Sequence, residues 1–117
     1  MKTLAFIPAR SGSKGVIDKN IRNLNGIPLL AYSVHIAQLC FKQGIFSDVL
    51  VSTDSIQYLQ KIKQTGYTKE YIRPKELAKD ESPTIDAIIH AINDYAKKNI
   101  FFDNVMILQS TSPFIRI

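Results

Sequence analysis

Arg10, Gly12, Ser13, Lys14 and Gly15 crowd into the run "ARSGSKG", and Lys19 and Asn20 come shortly after it. This set of residues suits the binding of phosphate. Glycines let backbone N–H groups come close to phosphate oxygens, while arginine and lysine neutralise the charge. Lys19 and Asn20 are near enough along the chain to fold back over the same ligand. The spacing fits neither the Walker A loop G-x-x-x-x-G-K-[ST] nor the dinucleotide fingerprint G-x-G-x-x-G, because Gly12 and Gly15 supply too few glycines in the wrong places. As a bare pattern, the run also reads as a solvated connection.

The elements around the loop favour the binding reading. "TLAFIP" (Thr3 to Pro8) is a short apolar run stopped by proline, which predicts a buried strand immediately before the loop. The chain from Ala9 to Gly26 has no sustained periodicity and reads as loop, with a turn signal at Asn25-Gly26. Pro28 is then expected to start a helix running to about Leu39. "SDVLVSTD" predicts a second strand centred on Val49 to Val51. The helix after it has Thr53 or Asp54 as N-cap and Gly66 past its end. "KEYIRP" predicts a short strand stopped by Pro74. In "ESPTIDAIIHAINDYAKK", Ser82 can cap a helix, Pro83 suits its first position, and Asp86 favours the positive end of the dipole. Ile85, Ile88, Ile89, Ile92 and Tyr95 or Ala96 form its expected apolar stripe. "NVMILQS" predicts a last strand.

Strands alternating with helices imply parallel βαβ units in an α/β fold. In such sheets ligands bind outside the carboxyl ends of the strands. Those ends fall at Ala9-Arg10, Thr53-Asp54, Arg73-Pro74 and Gln109-Ser110, where the chemically active residue types also gather. The remaining candidates read as structural. Asp54 is expected as a helix cap, while Asp80 and Asp86 are expected as loop and helix-start residues and not a metal pair. His35 and His90 lie on helices with no second ligand in pattern, and Cys40 is expected as a buried filler.

Composition narrows the class. The 117 residues are 45% hydrophobic, enough for one globular domain. The apolar run from Leu4 to Ile7 is shorter than a secretory h-region of roughly 7–15 residues or a membrane helix of about 20. A cytoplasmic protein without a membrane partner is expected. The net charge of +5 favours anionic ligands. Its positive residues are dispersed and lack a block with interleaved aromatics, so small phosphorylated ligands are preferred over nucleic acid.

The loop and several blocks downstream of it resemble a known family. "IPARSGSKGVIDKN" is similar to the nucleotide-binding signature of the acylneuraminate cytidylyltransferases, and the likeness continues in order through "NGIPLLAYSV", "VLVSTDS", "IRPKELAKDESPTIDAIIHAI" and "LQSTSP". The resemblance implies a Rossmann-like, three-layer, mostly parallel sheet of the nucleotide-diphospho-sugar transferase type. It also implies transfer of CMP from CTP to the anomeric hydroxyl of a nonulosonic acid such as N-acetylneuraminate, with Mg2+ present and pyrophosphate released. By matched position, Arg10, Ser13 and Lys14 would hold the triphosphate and Lys19 and Asn20 would close over it, with Arg10, Lys14 and Lys19 as the catalytic cations. Arg73 and Thr84 would contact the base and ribose side of the nucleotide, and Gln109 would face the sugar acid. This division suits a phosphoryl-type transfer, which needs positioning and charge neutralisation more than covalent catalysis.

Two positions depart from the common pattern: Ser11 stands where many relatives have glycine, and Ser110 where proline is commoner. Length is the larger departure. The resemblance implies a single domain over 1–117 that is the N-terminal half of a longer one, with the metal-binding aspartates and the dimerisation element beyond Ile117. Uncovered apolar surfaces, a homodimer or swapped oligomer, and little or no activity of the fragment alone are therefore expected. A non-catalytic nucleotide-binding fragment stays open, as does a synthetase for legionaminate, pseudaminate or 3-deoxy-octulosonate, and GTP in place of CTP.

Overall fold

The computed structural model describes residues 1–9, 23–24, 27–79 and 83–109. At its centre lies strand β1 (Thr3–Pro8), whose residues Leu4, Ala5, Phe6 and Ile7 are all fully buried. A strand covered on both faces must be apolar at every position, and that is why "LAFI" lacks the alternation of a half-exposed strand. Strand β4 (Asp48–Ser52) pairs with β1 on one side and β5 (Asn104–Ile107) on the other, both in parallel. Ala5 lies opposite Val49 and Met106, and Phe6 opposite Leu50 and Ile107.

Alternate β1 residues feed two separate cores. Ala5, Ile7 and Ala9 pack with Val49 and Val51 against helices α1 (Leu29–Lys42) and α2 (Ile56–Ile62), which bring Leu30, Val34, Ala37, Tyr58 and Ile62. Leu4, Phe6 and Leu50 pack on the opposite face against α3 (Thr84–Ala96), through Ala87, Ile88, Ala91 and Tyr95. The result is the expected helix–sheet–helix sandwich. The chain steps from β1 to β4 on one side and then crosses to β5 on the other, so the strand order reverses beside β1. At such a switch point the segments that leave the strands diverge and open a crevice at the strand ends.

Several local expectations are revised. No strand forms at "KEYIRP". Tyr67 to Pro74 run extended beside β4, joined to it by the Arg73 N–H donating to the Thr53 carbonyl at 2.7 Å and the Val51 N–H donating to the Tyr67 hydroxyl at 2.8 Å. Side chains occupy the outer edge of β4: the Val49 N–H is also taken, by the Asp48 carboxylate at 2.8 Å. That leaves little for a regular partner strand to pair with. A short antiparallel pair, β2 (Asn23–Leu24) with β3 (Ile27–Pro28), forms where only loop was expected, so Pro28 ends a strand and the helix begins at Leu29. The Asn25-Gly26 turn itself lies outside the described residues, as does Ser82.

Ser55, and neither Thr53 nor Asp54, caps α2, accepting the Tyr58 N–H at 3.2 Å. The expected stripe of α3 is borne out at Ile88, Ile92 and Tyr95, which pack on the core, but the inward face is rotated away from the other two isoleucines. Ala87, Ile88, Ala91 and Tyr95 are buried, whereas Ile85 and Ile89 are 56% and 48% exposed. Small alanines let the helix sit close to the sheet, and this outweighs the bulk of the flanking isoleucines. Cys40 is only partly buried, packed at the margin of the α1 core.

α1 and α3 end alike. The Ile45 N–H donates to the Cys40 carbonyl and the Gly44 N–H to that of Phe41, with Gly44 at φ +81°. The Ile100 N–H donates to the Tyr95 carbonyl and the Asn99 N–H to that of Ala96, with Asn99 at φ 61°. Both are Schellman endings, which need a residue that accepts the left-handed region.

Candidate functional site

Each strand of the sheet delivers a polar residue or a backbone turn to its carboxyl end. β1 runs into Ala9, which is 1% exposed and donates its N–H to the Ser52 carbonyl at 2.9 Å. This bond is the final rung between β1 and β4, and Arg10 comes directly after it. β5 runs into Leu108, whose N–H donates to the Phe6 carbonyl at 2.9 Å, and then to the exposed Gln109. β4 runs into Ser52 and Thr53, both fully buried. Thr53 Oγ1 accepts the Ser55 N–H at 3.1 Å and so turns the chain into α2.

Arg73 is the buried charge of this region, only 4% exposed. Its Nε donates to Ser52 Oγ at 2.8 Å, its Nη2 to the Ser52 carbonyl at 3.0 Å, and its Nη1 to the Leu77 carbonyl at 3.3 Å. A guanidinium removed from water needs such acceptors, because its desolvation is otherwise strongly unfavourable. Thr84 opens α3 and is exposed. Pro83 stands at the N-cap position, where it has no side chain that can cap the helix start.

Of the residues singled out in the sequence, the structure thus places Arg73 beside the root of the loop, Gln109 just past β5, and Thr84 at the start of α3. Arg10, Ser13, Lys14, Lys19 and Asn20 lie outside the described residues. Ser52 escaped the sequence reading. Its only signal was a small polar residue ending an apolar strand, in the run "VLVSTDS".

A second polar cluster lies at the opposite, amino end of the sheet. Asp48 receives Lys69 Nζ at 2.7 Å and the Tyr95 hydroxyl at 2.8 Å, and the Tyr71 hydroxyl and His90 Nδ1 share a hydrogen bond of 2.6 Å. Burial first, then hydrogen bonding to Asp48, pushes the Tyr95 phenol well above its ordinary value. Burial, helped by Asp94, pushes Tyr71 up to about 12. These phenols stay neutral at physiological pH and act as fixed hydrogen-bonding groups. A cavity of about 410 Å³ adjoins them, lined by Lys69, Tyr71, Asp94 and Lys98 among others. It lies away from the carboxyl ends of the strands, where ligands bind in such sheets, and its charges are largely paired with one another, so it is the poorer candidate. Among the described residues no three His, Cys, Asp or Glu side chains come together in a way that could hold a metal ion. No described helix is long and apolar enough to cross a membrane.

Comparison with known proteins agrees with this geometry. Residues 4–117 match the cytidylyltransferase family. The chain is 39% identical over 114 residues to a CMP-N,N'-diacetyllegionaminic acid synthase of Legionella pneumophila, covering 97% of this chain and 48% of that protein. It is 34% identical over 115 residues to a pseudaminic acid cytidylyltransferase of Campylobacter jejuni, covering 98% and 48%. An N-acylneuraminate cytidylyltransferase of Escherichia coli is 40% identical over 113 residues, covering 97% of this chain and 25% of that protein. The fold is similar to that of a CMP:2-keto-3-deoxy-manno-octonic acid synthetase solved in complex with CTP. The TM-score is 0.74 at 22% identity, over 99% of this chain and 43% of the other. The chain spans about half the length, or less, of the relatives it matches. With a loop of phosphate-binding composition leaving the central strand at a switch point, and a match running from the first strand to the last residue, the chain belongs to the cytidylyltransferase family.

Proposed function

We propose that this chain forms the nucleotide-binding part of an enzyme that activates a nonulosonic acid. The anomeric oxygen of the sugar acid attacks the α-phosphorus of CTP, the bond from that phosphorus to the bridging oxygen breaks, pyrophosphate leaves, and the hydroxyl gives up its proton. Arg10, Ser13 and Lys14 hold the triphosphate, with Lys19 and Asn20 over it. Arg10, Lys14 and Lys19 offset the charge that builds up on the phosphates in the transition state. Thr84 serves the nucleoside side directly, Arg73 serves it through the residues its buried guanidinium holds, and Gln109 serves the sugar acid. The observation that carries this reading is the end of β1: Ala9 is buried and fixed at the carboxyl end of the central strand, and Arg10 is the next residue in the sequence.

Mg2+ belongs to the same proposal through the family resemblance; among the described residues no three His, Cys, Asp or Glu side chains come together to hold it. The sugar acid is of the N-acetylneuraminate, legionaminate or pseudaminate type, in keeping with the names of the relatives. A cytoplasmic location, where CTP is made, is part of this reading.

A second reading is a nucleotide-binding unit without turnover of its own. It is favoured by the fact that the chain covers only about half of its relatives' length. Titrating the 117-residue chain with CTP and GTP, and measuring pyrophosphate release with CTP, Mg2+ and N-acetylneuraminate, separates the two. CTP binding without release is expected of these residues alone, and release at rates usual for enzymes would overturn that expectation. Failure to bind CTP, or equal binding of GTP, would overturn the nucleotide assignment.

A further inference from the structure

The Ser52 carbonyl has two donors. Ala9 N–H reaches it at 2.9 Å from β1, and Arg73 Nη2 reaches it at 3.0 Å from the extended segment. The same guanidinium also holds the Ser52 hydroxyl at 2.8 Å, and the Arg73 N–H holds the next carbonyl, that of Thr53, at 2.7 Å. Arg73 is therefore bound to the end of β4 by its side chain at Ser52, the residue of the final β1–β4 rung, and by its backbone at the next residue, Thr53. Charge-assisted hydrogen bonds are shorter and roughly twice as strong as neutral ones, and in a water-poor setting they fix their acceptors firmly. Through Nη1, Arg73 also ties the Leu77 carbonyl, and with it the turn Lys75–Leu77 that leads towards α3.

We propose that Arg73 is a positioning residue: by clamping Ser52, it fixes the carbonyl that anchors Ala9 and hence the end of β1, which the sequence continues into Arg10. What the loop holds rests on the functional reading above, whereas the clamp itself does not. A lysine at this position would keep the charge but lose the planar fork that engages the hydroxyl and the carbonyl of one residue together. Ser52 thereby gains a role that its size and burial alone do not suggest. It is the acceptor through which a side chain from outside the sheet acts on the end of β1.

The test uses the isotope-labelled 117-residue chain and the variants Ser52→Ala, Arg73→Lys and Arg73→Met. Native-state amide exchange at Ala9 is read against amides in the middle of β1, and CTP affinity is measured alongside. Arg73→Met is expected to speed Ala9 exchange about tenfold relative to the mid-strand amides and to weaken CTP binding by about tenfold, the size of one charge-assisted hydrogen bond. Ser52→Ala should give a smaller change of the same kind, Arg73→Lys should rescue only partly, and combining Ser52→Ala with Arg73→Met should add little. Should Arg73→Met fail to fold, Ser52→Ala and Arg73→Lys carry the same comparison. A lower melting temperature with unchanged relative Ala9 protection and unchanged CTP affinity would overturn the proposal in favour of a purely structural role. Weaker CTP binding in Arg73→Met, with none in Ser52→Ala and no change at Ala9, would overturn it in favour of direct ligand contact. If the unaltered chain binds no CTP, the functional reading fails, while exchange at Ala9 still decides the clamp.

Discussion

Replacing Tyr67 by phenylalanine removes one oxygen and leaves the Val51 N–H of β4 with nothing in the protein to bond. The ring is 2% exposed, and its hydroxyl accepts that N–H at 2.8 Å. Phenylalanine keeps the ring in the α1–α2 core and keeps Lys69 Nζ 5.5 Å from its centroid, so packing and the cation–π contact are nearly unchanged. What remains is the cost of a buried, unsatisfied amide, about 1–3 kcal/mol. Unfolding entropy of roughly 2.1 cal/mol/K per residue gives about 0.25 kcal/mol/K for a chain of 117 residues, so a 2 kcal/mol loss lowers Tm by about 8 °C. Differential scanning calorimetry of both chains measures that shift, and amide exchange locates it, since Val51 should lose protection before its neighbours in β4. A Tm shift below about 2 °C together with full protection of Val51 would refute the claim that this hydroxyl closes the outer edge of β4.

The face of α3 is open to a simple comparison. Ala91→Leu, at a fully buried position, should cost about 1–3 kcal/mol by overpacking, while Ile89→Lys on the exposed side should stay within about 0.5 kcal/mol, both read from urea midpoints. The two helix endings give changes of opposite sign. Gly44→Ala should cost about 1 kcal/mol for backbone strain alone, since nothing lies within 4 Å of the added Cβ, and Asn99→Gly should gain a few tenths. Chemical denaturation of the pair checks both. Stability should also fall in alkali. Burial raises Tyr67, Tyr71 and Tyr95 above the ordinary phenol value near 10, Tyr71 to about 12. Below pH 10 both folded and unfolded phenols keep their protons, and above it the unfolded chain loses them first, so stability falls as pH rises from 10 through 12. Urea midpoints from pH 8 to 11.5 should show that decline, and Tyr71→Phe should make it shallower.

The order of elements could be read from the sequence because it rests on local signals. An apolar run ended by Pro8, another at Val49 to Val51, and the helical spacing after Pro83 each declare their own type. The parallel sheet could be inferred from their alternation, and the position of the loop after β1 from the sheet. Packing between elements could not be read this way. Of the expected stripe on α3, Ile88, Ile92 and Tyr95 do face the core, yet the close approach of helix to sheet selected Ala87 and Ala91 over Ile85 and Ile89. "KEYIRP" had the composition of a strand, but the outer edge of β4 is already engaged by Asp48 and Tyr67, so the segment runs alongside it without joining the sheet. Arg73 shows the same division. Its place in the block "IRPKEL" assigned it, through the family resemblance, to the base and ribose side of the nucleotide, and only the tertiary structure buries its guanidinium against Ser52 and Leu77. A local pattern fixes what a segment prefers, whereas burial and the satisfaction of polar groups depend on partners far along the chain, and those are decided only when the layers meet.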